Sequence, residues 1–561
     1  MNTEQPVIAT SQSEQVEKGG WLAVLLVLGI SAYAAFAQRP AIATDVGTYL
    51  LANATSHGIK PTVLTSVDPQ DLSQDRRSPI TWWPASYGAI PALVDQSAAA
   101  IGTNLSSGQV IQWTTFIGWG LGIFFWFWFF RLVCPPKGLP WIFLCFLTAR
   151  YSHANFYLYD GGEFFYWAFF PAILLLNYKA TVSDQSKLIS VYLAAGAGAI
   201  TPMLVLLKYS AGLSCVGFGV GWLWLIYTER VSKRAFINWC INASVVSGFI
   251  FWLGMIPEGN PTQVDSPIQW TPLLWIPGAW LFAMTDLGTL LNKFTLDLLP
   301  PMGSHHDGSE GWLFLPAALL VWWILKKHSP SSPKDKSIAS NIEQAKPLLI
   351  GHLLGFSIVL VVFLVRGSAI HMDTRFLRPA AIAILPLLLP ALWNTCTASS
   401  LQIRVPAVFL LATFTLIPSL YGVAALGHKT FIRSQYAERL TDSNGLRHDL
   451  LSRNGDAAAF FEQLNKQTTS DDVIYLLEPT MGIPLKERRL FIEEHAHLRT
   501  KETLASRSHQ GKPAGTLYIP LPKRLVEDGR AEAIKNSFRD ITDWSKSTIE
   551  SQPDWILLLG H

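Results

Sequence analysis

Cysteine is scarce: the chain has five in 561 residues, and none lies after residue 426. Cys134, Cys145, Cys215, Cys240 and Cys396 all fall in or beside apolar runs. That excludes a disulfide framework and a cysteine-based zinc site. Charge is also scarce, at 15% of residues, and the net charge is only +3. No basic excess of the kind that nucleic acid requires is present, so nucleic acid is excluded as a partner. The opening "MNTEQPVIATSQSEQVEKGG" lacks the short basic n-region of a signal peptide, and the apolar run beginning at Trp21 has no small-residue cleavage site. That run reads as a retained first span. No internal repeat is visible, and low complexity is confined to a Ser/Pro/Lys linker at 328–337.

What is present is apolar. Half of the residues are hydrophobic, with 22 Trp and 31 Phe, and the mean hydropathy is +0.27. Long apolar runs separated by short charged loops define a polytopic helical membrane protein. Backbone hydrogen bonds must close internally in lipid, so the membrane part is all-α. The runs are 20–37, 110–133, 139–149, 164–176, 189–207, 212–227, 236–255, 312–325, 348–365, 376–393 and 405–423, about eleven spans. The run 139–149 is short for a crossing and is expected to continue through "RYSHANFYLY" as an aromatic interfacial extension.

Lysine and arginine in the short loops set the orientation. "TERVSKRAF", "LKKHSPSSPKDK", "RLVCPPKG" and "NYKATVSDQSK" fall on one side of the count. With that side cytoplasmic, residues 1–19 form a cytoplasmic tail and 20–425 the membrane domain. The long loops 38–109 and 257–311 are then external, together with a C-terminal region, 426–561. That region reads as a small α/β domain. "NGDAAAFFEQLNK" has a helix start signal, and "DDVIYLLE", "GTLYIPL" and "DWILLLG" are short β-rich runs.

The chemistry-bearing residues gather at external helix ends. Asp45 follows the first span in "ATDVGTYLLANATSHGIKP", with Tyr49 one turn later. It is either a helix-start residue or solvated loop acid, or a carboxylate set at the membrane boundary for catalysis. In "YLYDGGEFFYWAFFPAILLL", Asp160 and Glu163 are three apart and share a helix face. They could act as base and orienter or hold a divalent cation; equally, Asp160 could cap the helix after the Gly161-Gly162 turn. Lys208, in "LVLLKYSAGL", either snorkels or reaches a phosphate at headgroup level. Arg366, Arg375 and Arg378 cluster at an external helix end, where positive charge is disfavoured, and guanidinium groups suit phosphate. Trp83 and Tyr87, in "WWPASY", suit an interfacial anchor or a sugar-stacking platform. "SHHDGSE", with His305, His306, Asp307 and Glu310, is a weaker metal candidate, and no metal site is assigned. Asn53, Asn104 and Asn242 carry glycosylation triplets that count only in a secretory eukaryotic setting.

Taken in order, these stretches resemble the GT-C superfamily of membrane glycosyltransferases, the class that includes protein O-mannosyltransferases and the aminoarabinose transferases of lipid A. Asp45 with Tyr49 resembles the start of that family's first external loop, and "SPITWWPASYGAIPALV" its end. "DGGEFFYWAFFPAILLL" resembles the acidic opening of the fourth helix. "LLKYSAGL" resembles the stretch between the fifth and sixth helices, and "TRFLRPAAIAILPLLL" a late arginine-led helix. "DPQDLSQDRRS" in the first loop and Arg378 depart from the family pattern. The resemblance implies a polyprenyl-phosphate sugar as donor, with the acceptor open, and inversion at the anomeric carbon. Asp45 would be the base, and Glu163 with Asp160 the second acidic site. Lys208 and Arg375 would hold the phosphate. A bacterial inner membrane is the expected location. Two alternatives stand beside this one. One is a polymerase or ligase using polyprenyl-diphosphate glycans, and the other an inactive scaffold of the same build. A transporter is disfavoured, because its charges would lie near the midplane and its halves would match.

Overall fold

In the computed structural model, the residues described are 5–40 except 38, 62–65, 76–79, 86–153, 163–182, 187–253, 336–366, 374–398, 400–432, 445–447, 457–469, 472–476, 489–492, 516–536, 541–548 and 554–561, with scattered positions between 268 and 323. Two units divide the chain. One comprises Met1–Ala34, Phe116–Tyr157 and Gly162–His428; the other comprises Ala35–Thr115, Leu158–Gly161 and Lys429–His561. The C-terminal division falls at 428, and the described residues of the first long loop are grouped with the second unit.

The helices of the chain's first half are α1 (Gln5–Ala37), α2 (Ser86–Ala100), α3 (Ser107–Val133), α4 (Leu139–Thr148), α5 (Arg150–His153), α6 (Glu163–Thr181), α7 (Lys187–Ile200) and α8 (Leu213–Tyr227). They are followed by α9 (Lys233–Trp252), α10 (Lys336–Val365), α11 (Thr374–Ala398), α12 (Leu401–Phe414) and α13 (Leu416–Gly427). Eight helices among the described residues are long and apolar enough to cross a bilayer. They leave large apolar side chains exposed, such as Tyr192, Phe251, Trp252 and Phe409, which is the surface lipid requires. The chain is a polytopic helical membrane protein.

Three of the about eleven expected runs are not among these eight. Helix α4 has ten residues, too few to cross. Helix α6 has 19 residues, but Asn177, Lys179 and Thr181 make its end polar, and it is buried nearly all round. The run 312–325 lies outside the described residues, apart from positions 319 and 323. Nor does α4 continue smoothly into "RYSHANFYLY". Its C-terminal neighbour Ala149 is extended, at φ −64° and ψ 146°, and α5 starts afresh. The reason is a backbone crossing: a Cβ on Gly422 of α13 would lie 3.1 Å from the Ala149 carbonyl carbon. Side chains then tie the break down. Arg150 donates to the Tyr421 hydroxyl at 2.6 Å. The Tyr151 hydroxyl donates to the Phe414 carbonyl, 3.1 Å away, where α12 gives way to α13. Asn242 lies inside α9 and donates to Asn238 of the same helix, so the glycosylation reading fails there.

Several helix crossings are made by glycine, two of them by pairs at four-residue spacing. On α8 and α10, Gly217 and Gly221 face Gly351 and Gly355. A Cβ on Gly217 would sit 2.7 Å from the Cα of His352, and one on Gly355 2.7 Å from the Cα of Gly217. On α3, a Cβ at Gly118 would lie 2.6 Å from the Phe164 ring, and one at Gly122 3.1 Å from the Cα of Ala168 on α6. Without a hydrophobic drive between helices in lipid, small residues at four-residue spacing allow the close packing that holds them. Elsewhere α3 packs through aromatic rings. Trp126, Phe130, Phe143 and Phe146 lie with centroids 4.9–5.6 Å apart along the α3–α4 contact.

One buried amide joins four segments. Asn177 of α6 accepts from the indoles of Trp222 on α8 and Trp239 on α9, each at 3.0 Å. Its NH₂ donates to the Ile173 carbonyl and to Thr201 in the turn after α7. All of its hydrogen-bonding capacity is used in one place.

The second unit contains a five-stranded sheet. Its strands are β3 (Val473–Leu476), β4 (Arg489–Ile492), β5 (Leu517–Pro522), β6 (Trp544–Thr548) and β7 (Trp555–Gly560), in the order β4-β3-β5-β7-β6. Strand β3 runs parallel to β4 and β5, while β7 is antiparallel to β5 and β6. Pro520 and Pro522 are tolerated in β5 because β3 pairs only with Leu517 and Tyr518. Helix α14 (Ala457–Gln467) presents Phe460 and Phe461 to Trp555, with centroids 5.1 and 5.4 Å away. Burial raises the Tyr518 phenol above its ordinary value, and the Asp472 carboxylate adds to the effect. The loop 38–109 is more than loop. It holds α2 and a hairpin of β1 (Thr62–Thr65) and β2 (Arg76–Pro79), and β1 lies beside the edge strand β4.

Asn177→Leu leaves two indole N–H groups buried without an acceptor, at ~1–3 kcal/mol each. The expected outcome is a loss of about 2–4 kcal/mol, read as a lower thermal midpoint of the purified chain. An unchanged midpoint would show that the amide does not knit these helices.

Candidate active site

Helix α6 begins with Glu163, so its carboxylate stands where helix N–H groups and the helix dipole favour negative charge. The side chain is only 8% exposed. Its partner is Lys208, whose ammonium makes an ion pair with Oε1. Lys208 lies between two short 3₁₀ turns, Thr201–Leu206 and Tyr209–Gly212, in an extended conformation that interrupts both. The lysine therefore does not snorkel freely. It is held at the Glu163 end of α6, and its Nζ lies 5.3 Å above the centre of the Phe376 ring at the start of α11. A cation over an aromatic face gains ~0.5–2 kcal/mol as it loses water.

Beside the pair lies a cavity of ≈ 10 Å³ lined by Trp126, Glu163, Tyr166, Trp167, Arg378, Pro379 and Ile382. Arg378 brings a second cation to it. The aromatic wall is rigid. Trp119 and Trp167 stack at 3.9 Å with 14° between their planes, and the Trp126 indole donates to the Trp167 carbonyl at 3.1 Å. Among the described residues, then, Glu163, Lys208 and Arg378 come together from three distant stretches. Arg375 is on the first turn of α11 and Tyr87 on the first turn of α2, with their side chains outside the described set. Asp45, Tyr49, Trp83, Asp160 and the "SHHDGSE" loop lie outside the described residues. Arg366 closes α10. No group of three His, Cys, Asp or Glu gathers to hold a cation among the described residues.

Sequence reasoning missed the aromatic wall and the buried polar group behind it. The Tyr166 hydroxyl lies 3.1 Å from Ser214 Oγ on α8 and 3.0 Å from His352 Nε2 on α10. An ionisable side chain inside an apolar run, "LLIGHLLGF", is the signal that could have found it.

These features define a membrane bundle with a charged, aromatic-walled site at helix ends, accompanied by a small α/β unit. No family model and no curated protein matches the chain. Among solved structures it is similar to a crystal structure of ArnT from Cupriavidus metallidurans bound to undecaprenyl phosphate. That match has a TM-score of 0.45 at 13% identity and covers 96% of this chain and 98% of that one. The apo state of the same protein gives a TM-score of 0.44 at 14% identity over the same shares.

A buried charge that loses its partner costs ~3–5 kcal/mol, whereas replacing both partners by apolar groups is near neutral. Lys208→Met and Glu163→Leu are each expected to destabilise the purified chain by about 3 kcal/mol. The double variant should recover at least half of the summed loss. Additive losses in the double-mutant cycle would show that the two side chains do not act together.

Proposed function

We propose that the chain is a membrane glycosyltransferase that moves a sugar from a polyprenyl-phosphate donor to a lipid, glycan or protein acceptor. The observation that carries the reading is convergence. Glu163, Lys208 and the Phe376–Arg378 segment belong to three stretches that resemble GT-C motifs: Glu163 pairs with Lys208, whose ammonium lies over Phe376, and Glu163 and Arg378 line one cavity. Glu163, paired with Lys208, and the cation of Arg378 lie there beside an aromatic wall. An anionic headgroup on an apolar chain answers both features.

In the reaction, the acceptor oxygen attacks the anomeric carbon. The bond from that carbon to the phosphate oxygen breaks, and its electron pair stays with the phosphate. The acceptor's proton passes to Asp45. Lys208, Arg375 and Arg378 take up the charge that grows on the leaving phosphate. Tyr49, Trp83 and Tyr87 supply the sugar and headgroup contacts, and Glu163 with Asp160 forms the second acidic site. A single displacement inverts the anomeric centre. The basic loops at 228–236 and 325–336 support a cytoplasmic N-terminus and, with it, a site on the external face. A bacterial inner membrane is the setting.

Membranes carrying the wild-type chain, Asp45→Asn or Arg378→Ala are supplied with radiolabelled polyprenyl-phosphate sugars. Loss of the base should lower transfer by ~10²–10⁴-fold at equal expression. Arg378→Ala should mainly raise the KM for donor. Full transfer by Asp45→Asn would remove the base role from that residue. Transfer from polyprenyl-diphosphate glycans alone would favour the polymerase or ligase reading.

A further inference from the structure

His352 is fully buried in α10 and packs among Phe170, Phe218 and Phe356, with ring centroids 4.8, 5.3 and 5.8 Å away. Polar groups in such surroundings are costly unless bonded. Its Nε2 lies 3.0 Å from both the Tyr166 hydroxyl and the Ser214 hydroxyl, and the two hydroxyls are 3.1 Å apart. Three helices thus meet in a closed triangle. The other ring nitrogen, Nδ1, is buried and has no hydrogen-bond partner. A hydrogen on Nδ1 would be an orphaned donor, at ~1–3 kcal/mol. On Nε2 it is used, so the imidazole donates from Nε2.

Asn177 offers a contrast. It lies about three turns further along α6, where it spends its bonds on joining helices. Tyr166 does more than join. Its ring forms part of the cavity wall beside Glu163 and Arg378. It is also three residues after Glu163, so the two share a face of α6. Fixing the Tyr166 hydroxyl fixes the rotation of the turn that delivers Glu163 to Lys208.

We infer that His352 is a positioning residue for the candidate site, acting through the Tyr166 hydroxyl to set the first turn of α6 against Lys208. Its importance for catalysis rests on the transferase reading, but the geometry does not. The inference also predicts which nitrogen matters. A glutamine at 352 carries its NH₂ near the place of Nε2, whereas an asparagine reaches only as far as Nδ1.

The test reads Lys208 directly. The purified full-length chain is treated with a small amine-acetylating reagent, and acetylation of Lys208 is quantified by peptide mass spectrometry. The exposed Lys233 serves as internal reference, and the thermal midpoint as fold control. Glu163→Gln calibrates the assay, since it removes the ion pair that shields the amine. His352→Gln should acetylate within about threefold of wild type. His352→Asn and Tyr166→Phe should acetylate at Lys208 about tenfold faster, the equivalent of one lost hydrogen bond, with Lys233 unchanged. Equal Lys208 acetylation in folded Tyr166→Phe, or identical behaviour of the Gln and Asn variants, overturns the inference. If His352→Asn does not fold, the volume-conserving Tyr166→Phe decides alone. Failure of sugar transfer in the wild type would sink the proposed function and leave this result standing.

Discussion

Close approach of helix backbones is the constraint on which the rest depends. Lys208 can bury its ammonium only because a carboxylate arrives beside it. That carboxylate arrives because α6 lies directly against α3. Gly118 and Gly122 make the contact, since a Cβ at either position would strike Phe164 or the Ala168 backbone. Gly217, Gly221, Gly351 and Gly355 bring α8 and α10 together in the same way, and so carry Ser214 and His352 to Tyr166. Small residues that form no part of any site thus set the distances between the charged and polar groups that do. In a bilayer this is the physics expected, because packing takes over the role that hydrophobic exclusion has in water.

Much of the membrane part was legible in the sequence because a continuous apolar run of about 20 residues suits a bilayer and little else. The failures have physical causes. The break at Ala149 is made by Gly422, which is remote in sequence and invisible to a local reading. Helix α6 looked like an ordinary span, yet it is buried on nearly every side and does not need a lipid-facing stripe. In the second unit, "VIYL", "LYIPLP" and "WILLLG" were recognisable as strands by their apolar β-formers. The strands "RRSP" and "WSKST" were not, since pairing partners rather than composition make them extended.

The candidate site was half legible. Glu163, Lys208 and Arg378 stood out individually because ionisable residues at span ends call for a reason. Their mutual arrangement could not be read, because 45 residues separate the first two and the ion pair exists only in three dimensions. The aromatic wall gave no signal, since tryptophan is common in this chain and each indole also reads as ordinary packing. His352 was overlooked because one histidine in an apolar run shows no partner until Tyr166 and Ser214 are beside it. Buried polar bonds in this bundle therefore do two different things. Asn177 closes a knot that is complete in itself, while the His352 triangle ends on a residue of the cavity wall.

Helix α11, which carries Arg375 in its first turn and Arg378 three residues later, contains Pro379, Pro386 and Pro390. The spacings of seven and four put all three on one face of the helix, and all three are buried. Each lacks an N–H, so the carbonyls of Arg375, Ile382 and Pro386 lose their regular intrahelical donors on that same face. In mechanical terms, α11 is a beam weakened along one side only. Its bending stiffness is anisotropic, and its soft direction is set by the sequence. A load applied at its N-terminal end would be relieved by flexing in that one plane.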